Sequence, residues 1–233
     1  MRAIVLVSFG SLNLTIYNLL AAEIKEKFSA YEVRQAFTSN FMIKRLAARG
    51  ILIETLPTAI NNLRGAGFKK IFVMPTHLTA GEEFDNKIKI CAAADVEIIS
   101  PLMNDSPEEI LSVILKCFKP GDEDLILVGH GSPHRHNPVY EDLQKLTGDK
   151  IHIGVIESTD RPNFADVVAR LKSKKILLAP LLFNSGVHVE KDIAGGWFNR
   201  LKNLGCEVRM IREGLGSFKE FRELYIKKLE ATL

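Results

Sequence analysis

Short runs of β-branched and aliphatic residues alternate along the chain with longer stretches whose apolar positions recur at helical spacing. That rhythm calls for parallel strands joined by crossover helices on both faces of a sheet. It predicts strands near 3–8, 32–36, 70–75, 95–99, 124–129, 151–156, 175–180 and 206–211. Helices are expected near 12–28, 40–48, 55–66, 83–93, 107–118, 137–146, 162–172, 188–204 and 217–231. Ser106-Pro107-Glu108-Glu109 marks one helix start, with a capping serine, a proline at the first helical position and carboxylates at the positive helix end. Lys119-Pro120-Gly121-Asp122 stops that helix and precedes a new strand, so the boundary is expected there, between an N-terminal α/β half, 1–119, and a C-terminal one, 120–233.

The halves read as copies. Lys69-Lys70-Ile71-Phe72-Val73-Met74-Pro75 and Gly81-Glu82-Glu83 match Lys174-Lys175-Ile176-Leu177-Leu178-Ala179-Pro180 and Gly186-Val187-His188 at a constant offset of 105. Ile4-Val5-Leu6-Val7-Ser8-Phe9-Gly10-Ser11 matches Leu125-Ile126-Leu127-Val128-Gly129-His130-Gly131-Ser132. A looser pair sets Ala36-Phe37-Thr38-Ser39 against Ile156-Glu157-Ser158-Thr159. His130, Glu157 and His188 would then occupy strand ends where the earlier half has Phe9, Phe37 and Glu83. The pattern predicts closely packed halves with a cleft between them, one polar cluster facing an apolar wall.

Composition narrows the class. A chain of 233 residues can bury roughly 70–75% of its unfolded surface, enough for one large domain or two small ones, and the duplication favours two. The net charge of +3 with no dense Lys/Arg run argues against a nucleic-acid partner. Cys91, Cys117 and Cys206 are odd in number and lack ligand or redox spacing, which fits reduced thiols in the cytoplasm. The apolar run 3–7 is shorter than the ~7–15 residues of a signal core, and 176–183 falls short of the ~18 that would cross a membrane. A cytoplasmic, enzyme-sized protein with no membrane partner is expected.

In parallel α/β sheets ligands bind outside the carboxyl ends of the strands, and the residues singled out above lie there. Gly129 and Gly131 would let the backbone turn sharply and project the His130 imidazole; the plain alternative is a turn histidine bonded to a loop carbonyl. His188 should open a helix with its ring over the strand end. Glu157 ends an apolar run where a carboxylate has to cap, pair or bind. Two imidazoles and a carboxylate suit a borderline divalent ion such as cobalt, iron, nickel or zinc. His77 and Glu83 form a second candidate group. His134 and His136 read as a solvated loop, and His152 as a satisfied core or edge histidine. Ser8-Phe9-Gly10-Ser11 lacks a nucleotide fingerprint, and no Gly-x-Ser-x-Gly elbow occurs.

Taken in order, these segments, with Arg34-Gln35-Ala36-Phe37-Thr38-Ser39, His77, Gly81-Glu82-Glu83-Phe84, His134, Val155-Ile156-Glu157-Ser158, Asp192, Ala194, Gly195, Trp197 and Gly214-Leu215-Gly216, resemble the anaerobic sirohydrochlorin cobaltochelatases. Those are class II tetrapyrrole chelatases related to protoporphyrin ferrochelatase. The resemblance implies an α/β fold of two Rossmann-like halves with parallel sheets, related by a pseudo-twofold duplication. It implies cobalt as substrate metal, with iron, nickel or zinc as alternatives, and sirohydrochlorin or a related tetrapyrrole as partner. It also matches His130, Glu157 and His188 to the family's metal site and Glu83 to its nearby acidic residue. Metal insertion removes two pyrrolic protons, so His130 and His188 would hold metal and accept protons, Glu157 would be the third ligand, and Glu83 would pass protons or metal. Phe9 and Phe37 would offer apolar surface to the macrocycle, or serve the core. Arg34, Lys44 and Arg45 are candidates for its carboxylates. The chain is shorter than typical members, with only Gly196 between Gly195 and Trp197, which alters the expected substrate rim. A non-catalytic tetrapyrrole or metal carrier, an iron or nickel chelatase and a homo-oligomer remain open readings.

Overall fold

The computed structural model describes residues 1–233 and divides into two compact units. The first is built on β1 (Arg2–Ser8), β2 (Glu32–Phe37), β3 (Glu54–Thr55), β4 (Lys70–Pro75) and β5 (Val96–Ile98), all parallel in the order β3-β2-β1-β4-β5. Its crossovers carry α1 (Thr15–Lys27), α2 (Asn40–Ala47), α3 (Leu56–Gly65) and α4 (Glu82–Lys87). The second unit begins with α5 (Pro107–Phe118). Its parallel sheet comprises β6 (Asp124–Gly129), β7 (Ile151–Val155), β8 (Lys175–Pro180) and β9 (Glu207–Met210), in the order β7-β6-β8-β9. Around it lie α6 (Val139–Lys145), α7 (Phe164–Val168) and α8 (Phe198–Asn203). The last helix is α9 (Lys219–Thr232).

The central strands explain the sheets. Ala3–Val7 and Leu125–Val128 are almost wholly buried, as expected of aliphatic runs covered on both faces. Each fully buried Val, Leu or Ile contributes about 1.5–3 kcal/mol relative to exposure. Every expected strand is present. Only β3 went unanticipated, because two residues are too few to carry an alternation signal. The helix expected over 83–93 ends at Lys87 and resumes as a short 3₁₀ turn, Lys89–Cys91. The one expected from 188 runs as a π-helix over Val189–Trp197 before α8.

The unit boundary falls at 105/106, with Arg222–Leu233 belonging to the first unit, which differs from the division at 119/120. Packing of α5 and α9 is the reason. Phe118 of α5 meets Phe218 edge-on at 5.5 Å inside the second unit. In the first unit, the Tyr225 hydroxyl of α9 donates to the Thr76 carbonyl (3.3 Å), and the Arg222 guanidinium grips Glu23 from Nε (2.9 Å) and Nη2 (2.7 Å). The Pro120–Gly121 turn therefore separates a helix from a strand within one unit. Ser106 forms no side-chain cap on α5, leaving Pro107 and the two glutamates as its start signals. The helix closes with Lys119 in the left-handed region at φ 46°.

Register bears out the duplication in detail. Val7 pairs with Pro75 as Val128 pairs with Pro180. Gly10 and Gly131 both have positive φ, and an added Cβ would strike Phe37 in one copy and Val155 in the other. That equivalence corrects the looser sequence match. Ser8 pairs with Phe37 as Gly129 pairs with Val155, and Ser39 N–H donates to the Phe9 carbonyl as Glu157 N–H does to that of His130. Glu157 thus corresponds to Ser39, not Phe37. The hydroxyl pair Thr38-Ser39 resembles Ser158-Thr159 and drew the alignment two residues out of register.

His152 is the satisfied core histidine expected: it is 2% exposed, and its Nε2–H donates to Asp124 (3.2 Å), which also accepts the Lys172 and Ser173 amides. Burial pushes its pKa below the usual imidazole value, against the opposing pull of Asp124. The unfolded chain takes up that proton first, so this contribution is present above the unfolded pKa of about 6.5 and is lost as pH falls from there through the folded value. Urea unfolding should show stability declining from about pH 7.5 to 5.5. His152→Gln, which keeps a donor for Asp124 but cannot titrate, should flatten the decline; an equal slope in the variant would remove His152 from the account.

Candidate metal centre

The wholly buried β6 delivers the chain to its carboxyl end at Gly129, where any Cβ would lie 2.3 Å from the Tyr140 ring. His130 follows and is half-buried. Gly131 then turns the backbone at φ 78°, letting the His130 Nδ1 meet the Gly131 carbonyl at 3.1 Å. The loop-carbonyl bond expected of a turn histidine is thus present, and it leaves Nε2 unused. His188 lies at the start of the helix after β8, 48% exposed, with Nδ1 2.8 Å from Asp192 Oδ2 one turn on. The two rings meet edge to face with centroids 4.5 Å apart and planes at 84°.

Carbonyl and carboxylate oxygens only accept, so each Nδ1 carries the hydrogen and each neutral ring keeps its lone pair on Nε2. Metal–imidazole bonds of about 2.0–2.1 Å place two nitrogens on one ion within ~4.2 Å of each other. The observed approach of the rings permits that. Glu157 is half-buried beside them; its N–H donates to the His130 carbonyl (3.1 Å), and its Cβ is 3.2 Å from where a Gly131 Cβ would stand. Its carboxylate completes no three-residue ligand group with the rings, and no other such group of His, Cys, Asp and Glu occurs. The backbone brings Glu157 beside the loop that carries His130, one of the paired imidazoles. Cysteine does not contribute: all three thiols are free, and burial pushes Cys117 up to about 11.

The equivalent position in the first unit has inverted polarity. Glu83 accepts from the Thr38 hydroxyl (2.5 Å) and pairs with Lys87 (3.2 Å) one turn along α4, as His188 pairs with Asp192; both members of each pair match at the offset of 105. Phe9 is 48% exposed and stays available as apolar surface. Phe37 does not: it is 0% exposed and packs edge-on against Tyr17 at 5.9 Å, a core residue beneath the Gly10 turn. Trp197 is also core, 4% exposed against Phe164 at 4.9 Å. His77 is half-buried after β4, and His134 is exposed.

Two carboxylates went unassigned in the sequence. Asp192 had a legible signal, standing four residues after His188 on a helix. Asp160 had none. It is 0% exposed in the turn after β7, and reaches Ser132, His136 and Asn137 only because the loops after β6 and β7 emerge side by side. His136 is consequently an anchored residue, with Nδ1 on Asp160 (2.7 Å) and Nε2 on Glu141 (3.0 Å), not part of a freely solvated loop. Both partners accept, which makes the ring a double donor; the bond to Asp160 leads in raising its pKa above the usual imidazole value.

The two parallel sheets repeat one arrangement, and one copy carries paired imidazoles at its strand ends. Residues 2–233 match the family described as cobalt chelatase (CbiK), and the chain belongs to that family. A sirohydrochlorin cobaltochelatase, CbiKC, of Nitratidesulfovibrio vulgaris is 26% identical over all of this chain and 90% of its own length. A sirohydrochlorin cobaltochelatase of Methanococcus maripaludis is 34% identical over 30% of this chain and 55% of its own. Among solved structures, the sirohydrochlorin chelatase SirB of Bacillus subtilis, determined in complex with cobalt, superposes with a TM-score of 0.66 at 17% identity, over 99% of this chain and 94% of that one. The multi-domain DR2241 of Deinococcus radiodurans gives 0.60 at 13% identity, over 97% of this chain and 54% of its own. At those identities the structural likeness speaks for the fold alone.

Gly131→Ala should lower stability by roughly 1–3 kcal/mol, since it forces a left-handed residue and places a methyl against Val155. It should also weaken Co²⁺ binding in calorimetric titration by displacing His130. Unaltered affinity in this variant would detach the turn from the metal centre.

Proposed function

We propose that this protein inserts cobalt into sirohydrochlorin, a step of anaerobic cobalamin synthesis. The carrying observation is the edge-to-face pair of His130 and His188 at 4.5 Å, both rings tied down at Nδ1, in a chain of the cobalt chelatase family. Supporting it are the names of the relatives in Nitratidesulfovibrio and Methanococcus.

The two Nε2 atoms hold the incoming ion and, once it moves into the macrocycle, accept the pyrrolic protons it displaces. Glu157, whose backbone is held beside the rings, is the candidate third ligand once its carboxylate turns toward them. An ion that is substrate has to leave again, and a pair of imidazoles with a carboxylate close by releases it more readily than a closed cage. The carboxylate of Asp192 stabilises the His188 imidazolium that forms when a proton arrives. Glu83, bonded to Thr38 and Lys87, takes part in proton or metal passage. Phe9 gives the macrocycle an apolar face.

The decisive experiment follows the absorption of sirohydrochlorin with purified protein and cobalt, iron, nickel or zinc in turn, after subtracting the spontaneous reaction. Cobalt should be inserted fastest. Faster iron or nickel insertion would reassign the metal, and binding without turnover would make the protein a carrier. His130→Ala and His188→Ala should each abolish most insertion while leaving the circular dichroism unchanged, because neither ring sits in a core; wild-type turnover in either would remove the site. Glu83→Gln should lose rate while retaining Co²⁺ affinity, and an unchanged rate would return Glu83 to a structural part.

A further inference from the structure

The Asp160 carboxylate is the most completely enclosed charged group beside the metal centre and touches neither ring. Its Oδ1 accepts the amides of Arg161 (2.8 Å) and Asn137 (3.2 Å) and the Nδ1–H of His136 (2.7 Å). Its Oδ2 accepts only one backbone amide, that of Ser132, at 2.8 Å. Ser132 N–H belongs to the same peptide group as the Gly131 carbonyl, and that carbonyl holds the His130 Nδ1–H. A peptide is planar and trans, so its N–H and C=O point in opposite directions, and fixing one end fixes the other.

From this continuity we infer that Asp160 is the positioning residue for His130, acting through the Gly131–Ser132 peptide. The order is Asp160 carboxylate, Ser132 N–H, Gly131 C=O, His130 Nδ1–H, with the Nε2 lone pair at the far end. A carboxylate on the N–H polarises the peptide and makes its carbonyl a better acceptor, strengthening the next bond by roughly 10–30%. His188 reaches the same state by the shorter route of direct contact with Asp192. Both imidazoles thus rest on a carboxylate at Nδ1, one directly and one across a peptide. The turn that supplies Asp160 also supplies Glu157, since Asp160 N–H donates to the Glu157 carbonyl (3.2 Å). One short segment carries the candidate third ligand and the group that orients the first.

The inference rests on His130 being a site residue, yet its test can be read without turnover. Nitrogen-15 spectra of histidine-labelled protein at about pH 8.5, where free imidazole is neutral, should show His130 and His188 protonated at Nδ1 and bare at Nε2. Asp160→Asn keeps one acceptor oxygen, which the three donors at Oδ1 will claim, leaving an amide group against Ser132 N–H. The variant should therefore turn His130 into a mixture of tautomers and leave His188 as it was, while Asp192→Asn should do the reverse. Cobalt insertion by Asp160→Asn should fall about 10-fold or more in kcat, the usual cost of removing such an outer partner, with the KM for sirohydrochlorin unchanged. A wild-type His130 protonated at Nε2 would overturn the relay, even if Asp160→Asn fails to fold. A folded Asp160→Asn with wild-type tautomers and kcat would overturn it equally. If the wild type inserts no metal, the proposed function fails while the spectra still decide the relay.

Discussion

Parallel pairing of β6 on both of its edges is the constraint on which the second unit depends. The strand is buried along its length, between β7 and β8, and its backbone groups are committed to those neighbours. Parallel strands deliver their carboxyl ends to the same side of a sheet, so the loops after β6, β7 and β8 emerge together. With Val128 opposite Pro180 and Gly129 opposite Val155, the next residues of the three loops can address one another. Residues far apart in sequence, His130, Glu157, Asp160 and His188, become neighbours for that reason alone.

The same backbone device is present in the first unit with different chemistry mounted on it. Gly10 and Gly131 each make a positive-φ turn over a packed side chain, and Gly81 and Gly186 each precede a helix whose early residue pairs one turn ahead. One copy presents an exposed phenylalanine and a Glu–Lys pair; the other presents an imidazole and a His–Asp pair. A duplicated scaffold lets one copy carry imidazoles and a carboxylate while the other carries a phenylalanine and a Glu–Lys pair, on similar turns.

The polar groups behind the imidazoles set how the rings are presented. A bare imidazole on a turn samples rotamers and tautomers, whereas His130 and His188 each give up Nδ1 to an acceptor and present Nε2 in one state. Asp160 is 0% exposed and held by four donors, satisfying the rule that a buried carboxylate be bonded. Its network ties the loop after β6 to the turn after β7.

Sequence alone determined the α/β class, nearly every strand, the duplication and two of its three correspondences, because aliphatic runs, helix starts and repeated Gly and Pro positions are local signals. His130 and His188 were legible from glycine flanks and the repeat, and Glu83 from its offset to His188. The tertiary structure decided what local signals do not encode. Phe37 became core because the Gly10 turn closes over it, and Glu157 moved opposite Ser39 because strand pairing, not hydroxyl similarity, sets register. The unit boundary shifted because side-chain packing assigns a helix, whatever punctuation follows it. Asp160 was invisible in the sequence, since a carboxylate in a polar turn looks solvated until two parallel strands bring another loop's amides around it.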